Sequence, residues 1–152
     1  MDRLALVLAL AAVVVVIALV LQRRRPAQPT SLPRTYEAPA ELVRTDFDRP
    51  EAPWLVAVFT SATCSTCGDV WSKAELLEST EVAVQQVEAQ RDATLYRRYG
   101  IDAVPITVIA DAAGAVQRSF MGPVSSTHLW AAVAELREPG SVPPSCGDVH
   151  DD

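Results

Sequence analysis

The chain has 152 residues, and 13 Lys and Arg stand against 19 Asp and Glu, which gives a net charge of −6. This acidic balance argues against a nucleic-acid partner. The three cysteines are too few for a disulfide-rich scaffold, and once the terminal segments are set aside about 90 residues remain, enough for one small domain.

The first predicted element is an apolar run over residues 4–21, preceded by a short tip at residues 1–3. A helix of that length spans about 27 Å, close to the thickness of a bilayer core. A cleaved signal peptide is the alternative, but its apolar core is usually shorter, and here Arg23, Arg24 and Arg25 occupy the expected cleavage region. We therefore predict one uncleaved transmembrane helix.

The arginine cluster also bears on orientation, because positive charges flanking a span tend to stay in the cytoplasm. We therefore expect a single-pass protein of the cell membrane with its soluble domain in the cytoplasm, and an extracytoplasmic domain is the alternative.

Residues 22–40 contain four prolines and few apolar side chains, which predicts a semi-extended linker. Residues 139–152 are acidic and proline-containing, which predicts a disordered tail. The folded domain is expected over residues 41–138.

Within that domain, hydrophobic patterning predicts alternating strands and helices. Residues 54–59 are six consecutive apolar residues, typical of a strand buried on both faces. The other predicted strands cover residues 41–47, 81–88, 101–110 and 115–121. The predicted helices cover residues 64–79, 91–99 and 125–136, and Gly100 and Ser125 are suited to end the second and to begin the third. From residue 54 onward the order is β-α-β-α-β-β-α, which predicts a three-layer α/β sandwich with a mixed central sheet.

Two cysteines lie where the first buried strand meets a helix, in the sequence Cys64-Ser65-Thr66-Cys67. The first turn of a helix offers unpaired N–H groups and the positive end of the helix dipole. A thiolate is stabilised there, so we expect the pKa of Cys64 to fall below the ~8.5 of a free cysteine. Cys67, one turn further on, is expected to be more buried and to resolve a mixed disulfide formed at Cys64.

At this point the chain resembles the thioredoxin family over residues 54–136. Three features carry the resemblance: the Cys-x-x-Cys after a buried strand, the segment 99–105 that ends in Val104-Pro105, and residues 120–122 before the capped last helix. The resemblance implies a thioredoxin-like fold, with Cys64 as the attacking cysteine and Cys67 as the resolving one. It also implies a cis Pro105 beside the cysteines and a Val104 backbone that pairs with an extended substrate segment.

The chain departs from the family at the same site. Thr63 replaces the usual tryptophan, and Ser65-Thr66 replaces the usual Gly-Pro. We expect the two hydroxyls to bind substrate and to donate hydrogen bonds to the Cys64 thiolate, which would make the disulfide more oxidising. Val58 stands where thioredoxins have a buried aspartate, so the helper base for Cys67 is missing. Glu88 lies near a strand end, and nothing in the sequence places it at the thiols.

A cysteine pair is also compatible with a zinc site or with a domain that has no redox activity. Cys64 and Cys67 could be half of a zinc site, but zinc usually takes four ligands. The remaining candidate ligands, Cys146, His128 and His150, are scattered along the chain, which disfavours zinc. The other alternative is a non-enzymatic adaptor, in which the thioredoxin fold binds a membrane partner without redox chemistry. Cys146 is either incidental or a third thiol that forms a mixed disulfide with Cys64.

The sequence therefore predicts a bacterial, membrane-tethered thiol-disulfide oxidoreductase that needs no cofactor and no metal. Its expected partners are proteins that carry thiols or disulfides, an upstream redox protein, and the membrane through residues 4–21.

Overall fold

A computed structural model of the chain describes residues 37–142. Its four strands are β1 (Trp54–Thr60), β2 (Val82–Glu88), β3 (Ile106–Ala110) and β4 (Val116–Met121). Its three α-helices are α1 (Cys67–Ala74), α2 (Ala93–Tyr99) and α3 (Ser126–Arg137). Short 3-10 turns cover Arg44–Asp46 and Glu75–Leu77.

The strands form one mixed sheet in the order β2-β1-β3-β4. β1 runs parallel to β2, β3 is antiparallel to β1, and β4 is antiparallel to β3. The parallel strands β1 and β2 are joined by α1, as a crossover connection requires, and the antiparallel strands β3 and β4 are joined by a tight turn. The predicted mixed sheet is confirmed.

The two faces of the sheet carry separate halves of the core. Leu55, Ala57 and Phe59 of β1 point to the face that α2 covers, where Tyr96 and Tyr99 pack. Val56 and Val58 point to the opposite face. Side chains of α1 and α3, including Val70, Ala74, Leu129 and Val133, cover that second face. Because successive strand residues alternate between faces, one continuous apolar strand serves both layers, and the predicted three-layer arrangement is confirmed.

The register defines two ends of the sheet. Thr60 pairs with Glu88 where β1 and β2 finish, and we call this the site end. Trp54 pairs with Val82 where both strands begin, and we call this the far end. Since β3 is antiparallel to β1, its first residue Ile106 also lies at the site end, opposite Phe59.

The predicted leading strand over residues 41–47 is wrong. Glu41 makes a single antiparallel bridge with Ala115, after which the chain turns into the 3-10 segment Arg44–Asp46. The turn carries the Arg44 side chain into the domain, where its guanidinium donates to the carbonyl oxygens of Asp111 at 2.8 Å and Ala52 at 2.9 Å. Because these carbonyls need donors, the buried arginine prevails over the weak strand pattern.

Two predicted boundaries also change. α1 begins at Cys67, three residues after the predicted start, and its regular part ends at Ala74. β3 begins at Ile106 and leaves residues 101–105 outside the ladder. Pro105 has no N–H to donate to a neighbouring strand, so the ladder starts after it.

The predicted helix ends are confirmed. Gly100 ends α2 in the left-handed conformation, with φ of 63°. Ser125 caps α3, because its Oγ accepts a hydrogen bond from the His128 backbone N–H at 3.2 Å. The predicted anchor at 4–21, most of the linker at 22–40, most of the tail at 139–152, Cys146 and His150 lie outside the described residues. No helix within residues 37–142 is long and apolar enough to cross a membrane.

Candidate functional site

The cysteine pair lies at the site end of the sheet. β1 ends at Thr60, and the chain then makes a turn in which the Cys64 N–H donates to the Ser61 carbonyl oxygen at 3.1 Å. Cys64 therefore belongs to the turn, and Cys67 is the first residue of α1. The strand fixes where the turn begins and the helix fixes where it ends, so both cysteines are held by regular structure.

The two cysteines form a disulfide, with their Cα atoms 5.5 Å apart. Their surroundings differ: Cys64 is half-buried, whereas the side chain of Cys67 is 3% exposed. A substrate sulfur can therefore reach Cys64 more easily than Cys67. This asymmetry is what an attacking and a resolving cysteine require.

One hydroxyl group lies near the accessible sulfur. The Thr66 Oγ1 atom lies 3.8 Å from Cys64 Sγ, within hydrogen-bond range for sulfur. In the turn before Cys64, the Ser61 and Thr63 hydroxyls are 3.1 Å apart and bond to each other. Thr66 is thus placed to donate to a thiolate, while Ser65 is exposed, and the substrate-binding roles of both residues stay predictions.

The segment before β3 reaches the same end of the sheet. The Val104–Pro105 peptide bond is cis, the isomer that the resemblance implied. Pro105 is buried and Val104 is half-buried. The Gly122 N–H donates to the Pro105 carbonyl oxygen at 2.8 Å, which ties this segment to the end of β4. A role for Val104 and Pro105 in binding substrate stays a prediction.

The strand position below the cysteines carries no base. Val58 is fully buried among the apolar side chains under α1 and α3. Its partners across the sheet are Gln86 on β2 and Thr107 on β3, and both are uncharged side chains. Because the interior here is apolar, a resolving thiol has no carboxylate at this position to accept its proton.

Glu88 is the residue that sequence reasoning left unassigned. One carboxylate oxygen accepts from the Ala62 N–H at 3.1 Å, and the other accepts from the N–H groups of Gln90 and Arg91 at 2.8 and 2.9 Å. The Arg91 N–H is the main cause of a lowered pKa at Glu88, and partial desolvation opposes it. A carboxylate at the end of a strand, followed by a turn, was the only sequence signal, and the contact with Ala62 spans 26 positions.

The Tyr96 side chain also fixes the end of β1. The Tyr96 hydroxyl donates to the Thr60 carbonyl oxygen, and a longer bond of 3.4 Å reaches the Val87 carbonyl oxygen. Burial raises the pKa of Tyr96, so the phenol stays protonated and remains a donor. The Tyr96 hydroxyl therefore fixes β1 at its last residue and β2 one residue before its end.

Other candidate residues lie apart from this cluster. His128 is half-buried in the first turn of α3, where its backbone completes the helix cap. Within residues 37–142, no three His, Cys, Asp or Glu side chains converge as metal ligands would.

Comparison with solved structures identifies proteins of similar architecture. A single-site mutant of a thioredoxin from Halobacterium salinarum NRC-1 matches with a TM-score of 0.53 at 23% sequence identity, over 62% of this chain and 81% of that one. A malarial protein matches with a TM-score of 0.50 at 16% identity, over 55% of this chain and 96% of that one. A thioredoxin from Fasciola hepatica aligns with a TM-score of 0.48 at 23% identity, over 55% and 81% of the two chains. No protein-family model and no curated protein matches the chain. The fold of residues 37–142 is thioredoxin-like.

Proposed function

We propose that this protein is a membrane-tethered thiol-disulfide oxidoreductase acting on protein thiols and disulfides. The observation that carries the proposal is the cysteine pair itself. Cys64 and Cys67 are joined in a disulfide at the end of a thioredoxin-like sheet, with one sulfur accessible and the other buried. A purely structural disulfide would gain nothing from that asymmetry, whereas exchange with a partner needs it.

The chemistry takes two displacement steps. In the reducing direction, the Cys64 thiolate attacks a substrate disulfide, forms a mixed disulfide and releases one substrate thiolate. The Cys67 thiolate then attacks Cys64 Sγ, which releases the second substrate thiolate and leaves the Cys64–Cys67 disulfide. The substrate gains two electrons and this protein loses two. Two protons from solvent complete the substrate dithiol, and the oxidising direction is the reverse.

The surroundings of the pair bear on how it is tuned. The Thr66 hydroxyl near Cys64 favours the thiolate, and therefore the dithiol form. The apolar position at Val58 gives Cys67 no partner base, so we propose that Cys67 loses its proton to solvent before it attacks Cys64 Sγ in the resolving step. Val104 and Pro105 are proposed to hold an extended substrate segment beside the pair, together with Ser65 and Thr66.

The tether and the partners belong to the same proposal. We propose that residues 4–21 anchor the protein in the membrane of a bacterial cell, with the domain on the cytoplasmic side. An upstream redox protein would then return the cysteine pair to its starting state. No cofactor or metal takes part in the proposed steps.

An adaptor without redox activity is the second candidate. Leu76, after α1, is 68% exposed, and Trp130 on α3 is 42% exposed. The Trp130 indole donates to the Lys73 carbonyl oxygen at 3.0 Å, which fixes the ring over the end of α1. Exposed apolar groups of this size suit protein contact, so an adaptor would use this surface rather than the cysteines.

A trapping experiment separates the two functions. The full chain carrying Cys67→Ser, expressed in a bacterial host, should accumulate mixed disulfides at Cys64 that thiol reductants release, because the resolving sulfur is gone. Non-reducing gels of separated membrane and soluble fractions measure this, and the adducts are expected in the membrane fraction.

The matched control is the double variant Cys64→Ser/Cys67→Ser, which should trap nothing. If the single variant also shows no thiol-sensitive adducts, the exchange function is wrong and the adaptor becomes the better account. Adducts recovered only from the soluble fraction would instead argue against the tether. A membrane-impermeant thiol reagent added to intact cells should leave Cys64 unlabelled if the domain is cytoplasmic.

A further inference from the structure

We propose that Glu88 is a positioning residue for the cysteine pair, because its carboxylate fastens the turn that carries Cys64 to the end of β2. The inference rests on the proposed exchange function and adds a residue to it. We call the contact between Glu88 and Ala62 the turn anchor.

The geometry gives the carboxylate two separate tasks. Glu88 Oε2 accepts from the N–H groups of Gln90 and Arg91, at 2.8 and 2.9 Å, which fixes the side chain to its own strand end. Glu88 Oε1 is then free to accept from the Ala62 N–H at 3.1 Å. One oxygen holds the residue in place, and the other holds the turn.

Ala62 is well placed to transmit this hold. It is the second residue of the turn that the bond from the Cys64 N–H to the Ser61 carbonyl closes at 3.1 Å. Ser61 follows Thr60, whose carbonyl accepts from the Ala89 N–H at 2.9 Å. The turn is therefore attached to the β2 side twice, once through backbone atoms and once through the Glu88 side chain.

Only an ionised acid can do both tasks. A glutamine has a single acceptor oxygen, so it can serve the Gln90–Arg91 turn or Ala62, but not both. The lowered pKa of Glu88 agrees with a carboxylate that several N–H groups stabilise. The requirement is thus for a carboxylate of glutamate length, not simply for a polar residue.

The anchor has a consequence for the redox equilibrium. In the disulfide form, the sulfur–sulfur bond itself restrains the turn, so the anchor matters little. In the dithiol form, the anchor keeps Cys64 near Cys67 and so raises the effective concentration of one sulfur at the other. The carboxylate charge also disfavours a neighbouring thiolate. Both effects favour the disulfide, so removing the anchor should favour the dithiol.

The test is the equilibrium of the full chain with graded mixtures of reduced and oxidised glutathione. Glu88→Gln should shift the Cys64–Cys67 pair toward the dithiol by about threefold to tenfold, the size expected for one lost hydrogen bond. Glu88→Asp keeps the charge but shortens the reach, and it should show most of the same shift. Glu81→Gln is the matched control, because Glu81 flanks β2 at the far end and pairs with Arg137. It should leave the equilibrium unchanged.

Hydrogen exchange at the Ala62 amide gives an independent readout. Exchange should accelerate in Glu88→Gln and remain slow in Glu81→Gln. Should Glu88→Gln fail to fold, Glu88→Asp carries both measurements. An unchanged equilibrium in a folded Glu88 variant, beside a normal wild-type titration, overturns the anchor alone. A wild-type chain with no reversible dithiol–disulfide transition overturns the anchor together with the proposed function.

Discussion

The two ends of the sheet are built differently. At the far end, charged side chains reach across elements and bind backbone carbonyls. Arg44 binds Asp111 and Ala52, Arg49 donates to the Ser79 carbonyl oxygen at 2.7 Å, and Arg137 pairs with Glu81. At the site end the arginine contacts are local, because Arg91 donates to the Gln86 carbonyl oxygen at 2.7 Å and pairs with the adjacent Asp92. Small hydroxyl residues, a cis proline and a disulfide occupy this end, and the Glu88 carboxylate accepts a hydrogen bond from the cysteine turn.

This difference separates stability from chemistry. Arginines at the far end cross-link segments that are distant in sequence, which stabilises the fold without touching the sulfurs. A positive charge beside Cys64 would instead stabilise its thiolate and change its redox equilibrium. The domain therefore keeps its arginine cross-links where they do not disturb the cysteine pair, and we expect substitutions at the two ends to have different readouts.

The largest expected effect comes from removing an arginine contact at the far end. Arg44→Met should lower the free energy of unfolding by about 4 kcal/mol, because the buried Ala52 carbonyl oxygen and the partly buried Asp111 carbonyl oxygen lose their donor. Urea denaturation measures this loss, and Arg49→Met is the control, since the more exposed Arg49 side chain should cost only about 1 kcal/mol. The glutathione equilibrium should stay the same in both variants. A redox shift in Arg44→Met would show that the two ends are coupled.

A pair of glycine substitutions compares the ends directly. Gly114 has φ of 92°, and a Cβ atom there would lie 1.9 Å from the Leu42 carbonyl oxygen. Gly122 has φ of 85°, and beyond its immediate chain neighbours no heavy atom lies within 4 Å of a Cβ added there. Gly114→Ala should therefore cost about 3 kcal/mol, and Gly122→Ala about 1 kcal/mol from backbone strain alone. Thermal unfolding of both variants checks the order, and equal losses would mean that the Leu42 contact relaxes freely.

The smallest expected effect is the pH dependence of the Glu88 contribution. Glu88 has a pKa below its ordinary value of 4.5 in the folded chain, mainly because the Arg91 N–H bonds its charged form. Its stabilisation is therefore complete above the unfolded-state pKa and is lost as the pH falls through the lowered folded-state value. The difference in unfolding free energy between wild type and Glu88→Gln should shrink from pH 7 toward pH 3. A difference that stays constant over this range contradicts the assignment.

The sequence was sufficient wherever local pattern and fold agree. The apolar run of β1, the glycine after α2 and the serine before α3 each carry a local signal, and each element appears close to its predicted position. Cys64 and Cys67 were identified for the same reason, since a strand, a short turn and a helix bring them together within a few residues.

The sequence was insufficient where one side chain bonds to a distant segment. The pattern at residues 41–47 is compatible with a strand, and only the carbonyls near Asp111, 67 positions away from Arg44, show why the chain turns there. Glu88 poses the same difficulty, because its partner Ala62 lies in the turn after a different strand and has no distinctive side chain. The start of α1 was misplaced because Cys64 takes part in a turn that the helical pattern does not reveal.

The far end is also where the described chain enters and leaves the domain. Glu41 bridges Ala115 just before β4 begins, and Arg137, in the last turn of α3, pairs with Glu81 just before β2. The Val142 N–H donates back to Glu135 in that same last turn. A dye, a fused protein or a sensor surface joined at residue 37 or residue 142 is therefore attached at the end of the sheet opposite the cysteines.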